Sequence, residues 1–258
     1  MKHFDQVQAI AHYTLLEARR NHLLWVVVLT IFAAVALAGF LAQVAITETQ
    51  QIQAAFLGAL LRWAAVFIVS LTVITGMVRE FNDKGFELVL SLPLPRAGYF
   101  FGKLLGYAAI ALLVATCMTL PLLLVVPPDQ AALWGASLGC ELMLVCVLSL
   151  LCMLTLNQTL PAFTVVAAFY LLSRSISSIQ LMGQGPLIDV TSVSQQALQW
   201  FIDAIALVLP NLDQFTATDW LVYHSATPIA LVPILGQSVI YLLLLSAAGL
   251  FDLYRKNL

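Results

Sequence analysis

The chain has 258 residues, 62% of them apolar and only 9% charged, with a mean hydropathy of +0.97. Soluble domains run near half apolar and about a quarter charged, so composition excludes an ordinary water-soluble enzyme or nucleic-acid-binding domain and makes lipid the solvent. The net charge of -2 selects no partner, because in a membrane protein the side on which each Lys and Arg lies carries the information.

At the start of the chain, Phe4, Val7, Ile10, Ala11, Thr14, Leu15 and Ala18 recur at three- and four-residue spacings, with Asp5, Gln6, Gln8, His12, Arg19 and Arg20 around the other side. That pattern predicts an amphipathic helix over residues 4–20, lying in the interface plane with its basic end toward anionic headgroups. A solvated extension of the first span is the other reading. The same polar stretch makes the first apolar run too late and too long for a cleaved signal peptide, so it is expected to stay as an anchor.

Apolar runs long enough to cross hydrocarbon cover residues 23–45, 56–77, 104–126, 133–154, 160–181 and 229–251. The fold class expected is therefore all-α integral membrane, a single domain of six spans. Lys2, Arg19 and Arg20, then Arg79, Lys84, Arg96 and Lys103, then Arg255 and Lys256 occupy alternate breaks between runs. Glu48, Asp129, Asp189, Asp203, Asp213 and Asp219 fall in the opposite breaks, which carry no Lys or Arg. Basic residues collect on the cytoplasmic side, so both termini are expected there.

Arg62, Glu141 and Arg174 fall within the runs, where a charge costs at least about 2.5 kcal/mol unless paired or hydrated. The arginines lie toward the outer halves of their spans, placed to snorkel to the interface. An ion pair between Glu141 and one arginine, a lining for a substrate path, and a shifted span boundary are the three readings of Glu141. Cys117, Cys140, Cys146 and Cys152 sit in apolar runs without a Cys-x-x-Cys pair and read as small hydrophobes. His3, His12, His22 and His224 are scattered, and no metal site is expected.

Between the second and third spans, residues 79–103 carry dense charge from Arg79 to Glu87, then Leu88-Val-Leu-Ser-Leu-Pro93. This reads as a short helix that Pro93 ends, apolar on one side and suited to a socket on a soluble partner; a solvated loop is the alternative. Arg79, Glu80, Gly85, Glu87, Leu88, Leu92, Pro93, Arg96, Gly102 and Lys103, together with the segment from Leu16 to Asn21 containing Glu17, Arg19 and Arg20, resemble the membrane subunits of type 2 ABC exporters. The likeness is to the branch that includes the permease for nitrous oxide reductase maturation; Phe86 departs from the Thr or Ser of that pattern. The resemblance implies a coupling helix from about Glu80 to Leu90 that docks on a separate ATPase subunit, two permease copies per transporter, and ATP with Mg bound on the partner rather than on this chain.

No phosphate loop competes: Gly98-Tyr-Phe-Phe-Gly102-Lys103 has three residues between its glycines where four are needed, and Leu104 where Ser or Thr is needed. No Gly-x-Ser-x-Gly elbow is present either. The rival reading is an ion-coupled secondary transporter built around Glu141 and the break at Pro121. Last, Ala197, Leu198, Phe201, Ile202, Ile205, Val208 and Leu209 predict an external interfacial helix within residues 182–228, one that caps an exit path or seats a periplasmic accessory protein.

Overall fold

The computed structural model describes residues 2–20, 22–44, 48–83, 95–183 and 193–255. Every regular element among them is helical: α1 (Lys2–Arg20), α2 (Leu23–Val44), α3 (Thr49–Asn82), α4 (Arg96–Thr119) continued by a 3-10 segment (Leu120–Leu124), α5 (Pro128–Leu156), α6 (Thr159–Gly183), α7 (Val193–Val208), α8 (Thr218–Val222), a 3-10 turn (Pro228–Ala230) and α9 (Leu231–Arg255). Six of these units are long and apolar enough to cross a bilayer, the architecture of a multi-pass membrane protein.

The helices outrun the apolar runs. The second span, expected over residues 56–77, belongs to a helix of 34 residues that begins at Thr49 and ends at Asn82. At 1.5 Å per residue it is roughly 50 Å long, well beyond the ~30 Å of hydrocarbon. Hydropathy marks the length that lipid solvates, whereas the backbone ladder continues through polar residues until a cap stops it. The expected third span (104–126) likewise starts earlier, at Arg96, and tightens to a 3-10 path where Pro121 withdraws a backbone donor. Asn157, in the left-handed region at φ 54°, closes α5 and turns the chain into α6.

α5 is the hub, packing against α3, α4, α6 and α9. Its Trp134, Leu138, Leu142, Leu150 and Met153 are buried. α2 lies on α3 and turns Trp25, Leu29, Phe32 and Phe40 outward, as α9 turns out Val239, Leu243 and Phe251. Exposed apolar belts of this extent match hydrocarbon rather than water. The two ends of the bundle differ in charge. The basic end carries Arg20, Arg79, Arg96, Lys103 and Arg255, and the acidic end carries Glu48, Asp129, Asp203, Asp213 and Asp219.

At the acidic end the chain from Leu209 to Ala226 does not stay outside as a plain loop. It folds back onto the helices and buries Leu209, Leu212, Phe215, Trp220, Leu221 and Ala226. Leu221 fills the place where Gly58 would otherwise carry a Cβ, beside Trp134, so a side chain at position 58 would evict it. Gln130 on α5 holds the far end of this segment: its Nε2 donates to the Ala226 carbonyl (3.2 Å), and its Oε1 accepts from the Ala226 N–H (3.0 Å). Gln130→Leu removes both bonds at once and orphans a buried backbone donor and acceptor, at a cost of about 1–3 kcal/mol. Faster amide exchange at Ala226, with α3 protection unchanged, is the expected readout.

Candidate functional site

Beneath the folded-back segment, one carboxylate gathers groups from several elements. Glu141, fully buried on α5, accepts from the Tyr170 hydroxyl (2.7 Å) and Arg174 Nη1 (3.2 Å) on Oε1, and from the Thr216 hydroxyl (2.8 Å) on Oε2. Tyr170 and Arg174 are four apart on α6 and so share a face, as do Ser137 and Glu141 on α5. Ser137 Oγ accepts from the Thr216 N–H at 3.0 Å. Arg174 Nη1 also donates to the carbonyls of Leu212 (2.8 Å) and Phe215 (3.3 Å), while Arg62 Nη1 on α3 reaches the Thr216 carbonyl at 3.4 Å.

The carbonyls of Leu212, Phe215 and Thr216 are thus taken by guanidiniums from two helices. Thr216 itself adopts φ 47°, a conformation unusual for a β-branched residue and one that persists only where surroundings over-determine it. Here both its backbone N–H and its hydroxyl are held from α5.

Glu141 pairs with Arg174 rather than with Arg62. Arg62 is only 8% exposed, drawn inward to the Thr216 carbonyl, and its Nε has no hydrogen-bond partner. Tyr170, Ser137 and Thr216 complete the cluster and gave no signal in the sequence, since a lone hydroxyl in an apolar run marks nothing by itself. Tyr170 in i−4 relation to Arg174 was the one available hint. A groove of 360 Å³ runs alongside between α3 and α6, framed by edge-on ring pairs of Trp63 with Tyr170 and Phe67 with Phe163.

A second cluster lies at the basic end. Glu80, near the end of α3, pairs with Lys103 on α4, and both are largely buried. Arg96 Nη1 donates to the carbonyls of Leu253 and Tyr254 (3.2 Å each), so this residue caps α9 from the first turn of α4. α1 packs along the start of α4, where Gly98, Gly102 and Gly106 recur every four residues. A Cβ at Gly102 would lie 2.9 Å from Ile10 Cβ, and one at Gly106 would lie 2.7 Å from Thr14 Cβ and 3.0 Å from the Ala11 carbonyl. This small-residue stripe lets two backbones approach, the packing device of helices in lipid.

Of the residues expected to meet a partner, Arg79, Glu80 and Arg96 stand at the two roots of the connection, whereas Gly85, Glu87, Leu88 and Pro93 lie outside the described residues, as does the expected helix from Glu80 to Leu90 beyond Asp83. On α1, Arg20 is exposed and Glu17 half-buried; the side chain of Arg19 lies outside the described set. Burial pushes the Glu17 carboxyl above its usual 4.5, with Lys103 pulling part of the way back. A carboxyl that holds its proton more tightly when α1 is docked favours docking at low pH and loses that advantage as pH rises through the elevated value. Protection of the α1 amides relative to their intrinsic exchange rates is therefore expected to fall as pH rises above 4.5 and through the raised value, and Glu17→Gln to flatten that dependence.

Among the described residues no three His, Cys, Asp or Glu side chains come together as a metal site, and the four cysteines are separate thiols. No known protein-family model matches the chain, and no curated protein sequence matches it.

Proposed function

We propose that the chain is the membrane-spanning permease subunit of an ABC exporter in a bacterial inner membrane. Both termini are cytoplasmic, and the subunit works as a pair of copies with a separate ATPase that carries ATP and Mg. The observation that carries this reading is the residue pattern from Arg79 to Lys103, whose likeness to the coupling region of type 2 exporters extends over ten positions.

The geometry around that region suits the task. Its two roots are tied together by the Glu80–Lys103 pair, α4 is clasped by α1 through the glycine stripe, and α4 also holds the end of α9 through Arg96. A push on the connection therefore moves α3 and α4 as a unit instead of being absorbed locally. From Glu80 to Arg62 is roughly 27 Å of continuous helix, so α3 carries the displacement to the polar tie at the other end. ATP can drive such a change only through a differential interaction with two conformations, and the connection is where that difference enters.

The secondary-transporter reading rests on Glu141. Its two oxygens already accept from three internal donors, one of them a guanidinium, which suits a structural tie better than a site that exchanges an ion. Glu87→Arg tests the proposal. A tagged wild-type chain is expected to co-purify with a nucleotide-binding subunit whose ATPase rate it alters, and the variant to lose that subunit while retaining its own fold. A wild-type chain that brings down no ATPase, or a Glu87→Arg chain that transports normally, overturns it.

A further inference from the structure

Contacts with two neighbouring helices set how far α7 and the turn after it reach along the bundle. Near the acidic end of α6, Gln180 Nε2 donates to the Asp203 carboxylate on α7 (3.0 Å). Six residues back along α6, roughly 9 Å farther from that end, Arg174 holds the carbonyls of Leu212 and Phe215. On α9, the Tyr241 hydroxyl donates to the Val208 carbonyl (3.1 Å) from a position ten residues, roughly 15 Å, past Leu231. Pro210 and Leu212 line one small cavity with Val145, Tyr170 and Tyr241, each near the middle of its apolar run. Half the hydrocarbon of a bilayer is about 15 Å thick.

The bonding of the turn fits that depth. Irregular backbone persists inside a bilayer only where the protein answers its polar groups, since lipid offers no donors. Here the carbonyls of Leu212, Phe215 and Thr216 take guanidiniums, and the Thr216 N–H takes Ser137 Oγ. At a water-facing surface solvent would serve those groups, and Arg62 and Arg174 would be drawn into the bundle at a cost that nothing offsets.

The outward face of α7 is apolar at the same level. Trp200, Phe201, Leu207 and Val208 share one side of the helix, and Leu207 is 85% exposed. This face continues the exposed apolar belt of α9, where Val239 and Leu243 flank Tyr241.

We propose that residues 204–216 are a re-entrant segment dipping into the leaflet on the acidic side, and that the outward face of α7 binds that leaflet's acyl chains. Leu207 and Val208 then lie in hydrocarbon, and Trp200 lies at the head groups, where its ring has an apolar body and a polar edge to place. A soluble accessory protein is the rival occupant of this face. It would need Val208 in water, whereas Val208 is bonded to the middle of α9. The assignment rests on packing at the acidic end and is independent of any ATPase.

The full chain in lipid nanodiscs, which present both membrane faces to water, gives two readouts. Leu207→Cys is expected to react with a membrane-impermeant maleimide at least about tenfold more slowly than Asp129→Cys, because labelling waits for a Leu-sized position to leave hydrocarbon. The wild-type chain supplies the background of the four native thiols. Leu207→Trp is expected to add fluorescence that brominated acyl chains quench, and Trp200, isolated by comparison with Trp200→Phe, to be quenched less by the same chains. Both changes at position 207 replace an outward side chain and leave the packed face of α7 intact.

Labelling of Leu207→Cys as fast as Asp129→Cys places this face in water and overturns the proposal. Slow labelling without bromine quenching of Leu207→Trp, as a second copy or another protein covering the face would give, overturns it too. So does stronger quenching of Trp200 than of Leu207→Trp, which reverses the order of depth.

Discussion

Glu141→Leu is expected to lower unfolding free energy by about 3–5 kcal/mol, because it strips Arg174 of its carboxylate while leaving the guanidinium inside the bundle. The magnitude separates charge from hydrogen bonding. Single polar contacts between helices in lipid average only about 0.6 kcal/mol, so Tyr170→Phe, which removes one donor and no charge, is expected to cost that much or less. If the tie is electrostatic, Glu141→Leu combined with Arg174→Met recovers most of the loss, since an apolar pair of similar volume often replaces a buried ion pair without penalty. Unfolding titrations in bicelles give all four values. A Glu141→Leu protein that unfolds at the wild-type denaturant concentration removes the tie as a determinant of the fold.

The second large effect is expected at the other end. Gly106→Val places carbon where Thr14 Cβ and the Ala11 carbonyl already sit, and because one obstacle is backbone the helices must separate. Overpacking of this kind costs about 1–3 kcal/mol, and here it falls on one contact, so α1 should detach while the remaining helices stay assembled. Protease cleavage between α1 and α2 is the readout. Gly236→Ala, whose Cβ would meet nothing within 4 Å, is the matched control and leaves cleavage unchanged.

The lipid-facing architecture was legible because it depends on composition over some twenty residues, a property that no single contact can reverse. Arg62, Glu141 and Arg174 were legible as a set for a related reason: ionised groups in an apolar run are too costly to be incidental. Their partners were not. Thr216 and Ser137 are ordinary hydroxyls whose meaning comes from the fold-back of residues 209–226, and hydropathy reads that stretch as a return to water. Its buried residues are spaced by turns rather than by a helical or strand period, so no periodic pattern betrays them. The glycine stripe on α4, by contrast, was in plain view as Gly98, Gly102 and Gly106, and a test for small residues at four-residue spacing finds it.

The tie at Glu141 also imposes an order of assembly. Its carboxylate is synthesised 33 residues before Arg174 and 75 before Thr216, so α5 enters the bilayer with the charge unanswered. The penalty at mid-depth is of order 2.5–3.5 kcal/mol, which the surrounding Leu, Val and Cys of α5 offset by their own transfer to lipid. Arg174 then arrives on the next helix and Thr216 after it. In chain order residues 209–226 follow the α3, α5 and α6 groups they cover and precede α9, and a ribosome stalled before Thr216 would leave the two guanidiniums and the carboxylate synthesised but uncovered.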